Sequence, residues 1–293
     1  MPGPHGPAVN PPVETARADE AAPACAQALP TAFAPRAAIP GVQALWDHAP
    51  RGAALQIVAV IVGGLALEAV LGRPGQHAAT LWAWLLWAWL YRSGGSAERR
   101  SLVLCTLIAG SGEAVLALVW GLYDYRYGNL PLYVPPGHAL LMTLGLLALR
   151  APAARATAPW VCVLGAAWAV ICFARGADGL GVALFGLFAL CMAFGRDRPL
   201  YAVMFALALA MEIYGTAVGA WTWRPEVPGL GVSAANPPFA AGAFYAVLDL
   251  LVLAAVAAIG GRRSACAGAT AGAGPGRPLP DDKGPARPDS AAG

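Results

Sequence analysis

The chain of 293 residues is 58% hydrophobic and 12% charged, about half the charged share of ordinary soluble domains, and that excludes a soluble enzyme. Mean hydropathy is +0.58 even with two polar ends included, so the middle must hold apolar runs of bilayer-crossing length. The net charge of +3 is small and scattered, which argues against a nucleic-acid partner.

Residues 1–52 carry ten prolines and no sustained apolar run, a composition that reads as a disordered tail. The charged start, apolar stretch and cleavage site of a signal peptide are missing from it. Eight apolar segments follow: Ala53–Leu71, His77–Tyr91, Ser101–Leu122, Gly137–Leu149, Ala158–Ala174, Gly179–Phe194, Pro199–Ala220 and Pro237–Gly260. The second, fourth and sixth fall short of the ~20 residues that a span needs and must borrow flanking residues. From Arg262 onward Gly, Pro and charge return and read as a second flexible tail. The expected architecture is all-α, a polytopic membrane bundle of about eight spans over residues 53–260, between tails at 1–52 and 261–293.

With eight spans, the loops on the side of the tails hold Arg51, Arg92, Arg99, Arg100, Arg150, Arg155, Arg196, Arg198, Arg262 and Arg263, against Arg73, Arg126, Arg175 and Arg224 on the other side. This bias predicts both termini in the cytoplasm of a bacterial inner-membrane protein, with the loops after the third and seventh spans in the periplasm. The six cysteines include no CxxC pair and the four histidines are dispersed, so no metal and no cofactor are expected.

Two stretches echo one another. The first runs Glu113, GLYDYR at Gly121–Arg126 and VPPGH at Val134–His138; the second runs Glu212, GAWTWR at Gly219–Arg224 and NPP at Asn236–Pro238. Each sets an acid seven or eight residues ahead of Gly-x-aromatic-x-aromatic-Arg, with a Pro-Pro pair at the opening of the next span. Copies four spans apart have the same orientation, which predicts two parallel four-span pseudo-repeats related by an axis along the membrane normal.

At the α-helical rise, Glu113 lies ~12 Å below Gly121 and Glu212 ~10 Å below Gly219, near the middle of a ~30 Å hydrocarbon core. Asp249, eleven residues beyond Pro238, reaches a similar depth. No Lys or Arg lies inside a predicted span, so these three carboxylates need a proton or a polar cavity. They are the candidate catalytic groups; hydrogen bonding between helices for packing alone is the structural alternative. Glu68 either joins the cluster or reaches the interface. Tyr245, one helical turn before Asp249, is expected to support that acid.

The candidate binding set is Tyr123, Tyr125, Arg126, His138, Trp221, Trp223, Arg224, Asn236 and Tyr245. Its aromatics would also furnish an interfacial belt. The arginines pair with Asp124 and Glu226, hold an anionic head group, or mark the interface. Asn236 caps the eighth span or points its amide into the site. The first copy has His138 where the second has Ala240, and the second has Asp249 where the first has Leu147, which predicts one asymmetric site between the halves. Gly215 and Gly219 read as a small-xxx-small packing pair.

The two stretches, Glu113 with GLYDYRYGNLPLYVPPGHALL and Glu212 with GAWTWRPEVPGLGVSAANPPF, resemble the integral-membrane carotenoid-biosynthesis proteins, which include the carotenoid hydratases and, more distantly, the small membrane lycopene cyclases. That pattern sets an acid before Gly-x-Tyr-x-Tyr and Val-Pro, then Trp-x-Trp followed by Pro and Asn. The resemblance covers Glu113–His138 and Glu212–Tyr245, about a fifth of the chain; Asn-Pro-Pro, Pro-Pro-Gly-His and the long tails have no counterpart in it. It implies that Glu113 and Glu212 stand for the acids of that group, that the aromatics line a polyene site, and that hydration or cyclisation starts by protonating a C=C bond. Such a step needs a carboxylic acid kept neutral by an apolar site and aromatic faces for the cation. Three readings stand open: an enzyme acting on an isoprenoid or other lipid in the bilayer, a proton-coupled small-molecule or lipid transporter using the same acids, and a non-catalytic membrane scaffold.

Overall fold

The structure, a computed structural model, describes residues 50–271. The two compositional tails lie outside the described residues except at Pro50–Gly52 and Gly261–Ala271, which are helical.

Helices stand where the apolar segments predict them: α1 Pro50–Leu71, α2 Arg73–Ser93, α3 Ser96–Glu113, α4 Val134–Ala148, the single turn α5 Pro152–Arg155, α6 Ala158–Arg175, α7 Gly179–Phe194, α8 Arg198–Ala217 and α9 Gly242–Ala271. Five stretches, Arg51–Leu71, Ser96–Trp120, Pro152–Arg175, Arg198–Ala217 and Gly242–Ile259, are long and apolar enough to cross a bilayer, which marks a membrane protein. α4 and α7 are apolar but shorter, and α2 begins with Arg73, Gln76 and His77. Proline sits in the first turn of α2, α4, α6 and α8, where a missing N–H costs nothing and the fixed φ suits the helix. The Pro237–Pro238 pair departs from this rule, because α9 starts only at Gly242. Gly242 lies against the backbone of Phe205, whose carbonyl oxygen a Cβ would meet at 2.3 Å.

α9 packs on α8, α3 and α7, and α4 fits between α3, α8 and α1. Leu140, Met142, Leu200, Met204, Phe188 and Val252 form the fully buried centre. α6 lies along one flank and leaves Trp160, Val163, Leu164, Val170 and Phe173 exposed, a surface that suits lipid and not water. The loops after α1, α3, α6 and α8 gather at one end of the bundle. There Arg126 reaches carbonyls of α1, and Asp178 accepts from the N–H groups of Ala235 and Phe239.

Two of these loops carry strands that an all-α expectation omits. After Glu113 the chain winds on as a π-helix over Ala114–Trp120, which takes up one residue more than an α-turn. Glu113 indeed stands one residue further from Gly121 than Glu212 does from Gly219. Both glycines have a left-handed backbone, φ 73° and 69°, and turn the chain back over the bundle. The triplets that follow, β1 Tyr123–Tyr125 and β2 Trp221–Trp223, pair antiparallel, Tyr123 opposite Trp223 and Tyr125 opposite Trp221. A second ribbon pairs β3 Glu226–Val227 with β4 Val232–Ser233. Alternating aromatic triplets favour strands, but a pairing between loops so distant in the chain leaves no local signal.

Candidate functional site

Strand alternation sends Tyr123, Tyr125, Trp221 and Trp223 inward and Asp124 and Thr222 outward. The four inward rings form a roof, with centroids 4.6 Å apart for Tyr123–Trp223, 6.2 Å for Tyr125–Trp221 and 5.7 Å for Tyr123–Tyr125. The ribbon is extended reciprocally: the N–H of Arg126 donates to Ala220 at 2.9 Å and that of Arg224 to Leu122 at 3.0 Å.

Each acid hangs from its own pair of roof aromatics. The Tyr123 and Tyr125 hydroxyls donate to Glu113 Oε2 at 2.6 and 2.7 Å. The indole N–H groups of Trp221 and Trp223 donate to Glu212 Oε2 at 2.8 and 3.1 Å. Burial, and after it the Glu113 carboxylate, push both tyrosine hydroxyls well above the ordinary phenol range, so they remain O–H donors. His138, reaching in from the first turns of α4, places Nε2 2.9 Å from Glu113 Oε1. Its ring stacks on Tyr245 of α9 with centroids 4.8 Å apart, and Tyr245 lies close to both Glu212 and Glu113. His138 Nδ1 is buried with no hydrogen-bond partner. With Nε2–H donating to Glu113, that nitrogen is a free acceptor.

These groups surround one cavity of about 70 Å³, room for several water molecules. Glu113, Glu212, His138, Tyr123, Tyr125, Trp221 and Tyr245 line its polar side; Val60, Ile61, Leu65, Ala79 and Ala83 of α1 and α2 line the apolar side. A polar wall facing an apolar one suits an amphipathic or largely apolar ligand with one reactive end.

Other candidates serve the scaffold. Arg126 donates to the carbonyls of Gly219, Val218, Glu68 and Ala69, closing the C-terminal ends of α8 and α1. Arg224 pairs with Asp124 at 3.1 and 3.2 Å on the exposed face of the ribbon. Neither pairs with Glu226. Arg126→Gln is therefore expected to lower stability by roughly 1.5–3 kcal/mol, the worth of hydrogen bonds to a charged group. Arg224→Gln should leave the midpoint of thermal unfolding nearly unchanged, because exposed pairs contribute little; melting of the purified protein in detergent compares the two. Asn236 caps no helix: its Oδ1 accepts from the Trp223 N–H at 3.0 Å and so fixes the edge of β2. Gly215 makes room for a side chain, since a Cβ there would stand 2.0 Å from the Trp221 ring. Gly219 is the left-handed turn itself.

Asp249 does not line the cavity. It lies one turn deeper along α9 than Tyr245, fully buried near Cys105 and Cys191, and neither of its oxygens has a hydrogen-bond partner. Tyr245 turns its ring to His138 and so does not support this acid. Glu68 reaches no interface. It is fully buried, accepting from Gln76 Nε2 at 3.0 Å and from the Tyr133 hydroxyl at 2.6 Å. Gln76, Tyr133 and Asp178 are buried polar partners that sequence reading passes over, and of these Tyr133 lines the cavity. Asp178 had a usable signal, an Asp directly before a helical apolar run; its carboxylate accepts from Gly181, Ala235 and Phe239 and ties α7 to the ribbon loop.

No protein family, curated protein or solved structure matches the chain.

Proposed function

We propose that the chain is a membrane enzyme that moves protons to and from an unsaturated isoprenoid or comparable lipid, with Glu113 and Glu212 as its acid–base pair. The observation that carries this reading is the suspension of both carboxylates from one aromatic roof around one partly apolar cavity. The two Gly-x-aromatic-x-aromatic-Arg loops pair about their centres, residue for residue, which supports two pseudo-symmetric halves. Five helices of bilayer-crossing length, with α2, α4 and α7 beside them among the described residues, support eight spans. The arginine bias supports cytoplasmic termini in a bacterial inner membrane, with the roof on the periplasmic side.

Glu212 rests one oxygen on two indole N–H groups, and its other oxygen carries the proton. Transfer of that proton to a C=C bond breaks the π bond, forms a C–H bond and leaves a cation on the adjacent carbon. The faces of Tyr123, Tyr125, Trp221 and Tyr245, all on the cavity wall, stabilise that charge. In a hydration, water adds to the cation while its proton passes to His138 Nδ1. The ring hands its Nε2 proton to Glu113, return of that proton to Glu212 recharges the acid, and transfer of the His138 proton from Nδ1 back to Nε2 through water resets the ring. In a cyclisation, a second double bond of the substrate adds in place of water, and the proton lost returns to a carboxylate. The cavity admits a chain end and not a whole polyene, so the chemistry falls on a terminal group while the remaining chain lies beside α1 and α2. The likeness of both stretches to the carotenoid-biosynthesis pattern agrees with this.

Lipid extracts of cells that make linear polyenes, with and without the gene, test the proposal by mass spectrometry. The expected product is heavier by one water, or equal in mass with one double bond fewer. Unchanged lipids together with pH-gradient-driven uptake into vesicles would select the transporter reading instead.

A further inference from the structure

Glu68 is a fully buried acid that the chemistry above does not use. Its surroundings start from Gly75, where a Cβ would stand 2.0 Å from the Leu67 carbonyl oxygen. Only glycine lets α2 approach the α1 backbone this closely, and the approach brings the next residue, Gln76, to Glu68. Gln76 Nε2 donates to Glu68 Oε1 at 3.0 Å, and the Asn129 amide, donating to Gln76 Oε1 at 3.2 Å, fixes which way the Gln76 amide points. The Tyr133 hydroxyl donates to Glu68 Oε2 at 2.6 Å. Both oxygens thus face donors, the pattern of an ionised carboxylate. The Arg126 guanidinium, donating to the Glu68 carbonyl at 3.3 Å, places a positive charge at the same turn of α1. Glu212 differs, because both of its indole donors share one oxygen.

Tyr133 stands between this carboxylate and the cavity. It lines the cavity together with Val134, Gly137 and His138, and Glu68 lies one turn of α1 beyond Gly64, which lines it too. The Trp84 indole donates to the Leu132 carbonyl at 3.0 Å and holds the segment just before Tyr133 against α2. A phenol with an anion behind it acts as a base: its oxygen accepts a proton from the cavity as its own proton moves to the carboxylate. Hydration, in which His138 takes the proton of water, leaves such a group idle. Loss of a proton from carbon requires one.

We propose that Tyr133, backed by Glu68, is the base that ends the reaction by taking a proton from carbon, so that the chain closes a ring at the end of a linear polyene. The step is balanced. The C–H bond beside the cationic carbon breaks, its electron pair becomes the new C=C bond, the proton goes to the Tyr133 oxygen, and the Tyr133 proton passes to Glu68 Oε2. As the product leaves, water filling the cavity takes the proton back through the same hydroxyl, and it reaches Glu212 by the return route through His138 and Glu113. No proton enters or leaves the site over a cycle. The inference rests on Glu212 being the acid of the cavity.

Vesicles that hold the full chain and a linear polyene with isopropylidene ends, moved into D2O, test it by mass spectrometry. The natural chain is expected to yield a product with one double bond fewer and one deuterium per ring closed, and to leave unreacted polyene nearly free of deuterium. In Tyr133→Phe and in Glu68→Gln, ring closure should fall roughly 10²-fold or more, the contribution of a general base. The stranded cation then hands a hydrogen back to Glu212 or meets water, so deuterated polyene plus alcohol, counted per ring closed, should rise at least tenfold. A merely structural role lowers all of these together and leaves the ratio as it was. Because a ratio does not depend on how much of a variant folds, either variant suffices. An unchanged ratio, or an alcohol as the main product of the natural chain, overturns the proposal while Glu212 keeps its role. Neither product nor deuterium uptake with the natural chain overturns the acid role of Glu212 itself, and this inference with it.

Discussion

Glu212→Gln is expected to lower conversion by roughly 10²–10⁴-fold, the contribution of one general acid, while the protein still folds and inserts. The reason is geometric. Trp221 and Trp223 both donate to the same carboxylate oxygen, so a glutamine amide oxygen keeps both contacts and only the transferable proton is lost. Glu113 offers no such clean exchange. Its Oε2 accepts from two tyrosines and its Oε1 meets His138, so the amide of Glu113→Gln must turn a donor towards one of these groups. That variant should lose activity to a similar degree and also lose some stability. Turnover together with thermal unfolding in detergent separates the two. Equal turnover in Glu212→Gln and the natural protein would remove Glu212 from the chemistry.

Gly215→Ala is expected to cost roughly 1–3 kcal/mol, as overpacking of a filled core does, and to depress turnover through the roof. The added methyl would stand 2.0 Å from the far edge of the Trp221 ring. That ring cannot simply yield, because its N–H is held by Glu212 and its other side packs against Tyr125. Displacing it breaks one of the two indole contacts that orient the acid. Gly186→Ala in α7 is the control: a Cβ there meets nothing within 4 Å, and in a helix the change gains up to about 1 kcal/mol. Tryptophan fluorescence during unfolding reads both variants, and a Gly215→Ala protein as stable as the control would contradict the packing described for Trp221.

The helices were legible because apolar runs and first-turn prolines are local signals. Glu113 and Glu212 were legible because charge is so scarce that an acid within an apolar run stands out. What escaped was non-local. Nothing in TWR or DYR announces that the two loops pair with each other, so the aromatics read equally well as an interfacial belt until the ribbon turned them inward. Asp249 stands out in the sequence as an acid within an apolar run, but Tyr245, one turn before it on α9, takes the place at the cavity wall. Glu68 stays ambiguous in the sequence because its partners Gln76 and Tyr133 come from two other segments. Arg126 and Arg224 occupy matching positions in the sequence, yet one caps helix ends and the other lies on the surface. Residue type and spacing do not distinguish these roles.

The most direct measurement is the lipid profile of cells carrying the natural chain, the Glu113→Gln, Glu212→Gln double variant, or no copy, with membrane insertion checked in parallel. A shared proton-transfer site predicts a converted lipid with the natural chain alone and a double variant whose extract equals that of cells without the gene. Full conversion by an inserted double variant would contradict it.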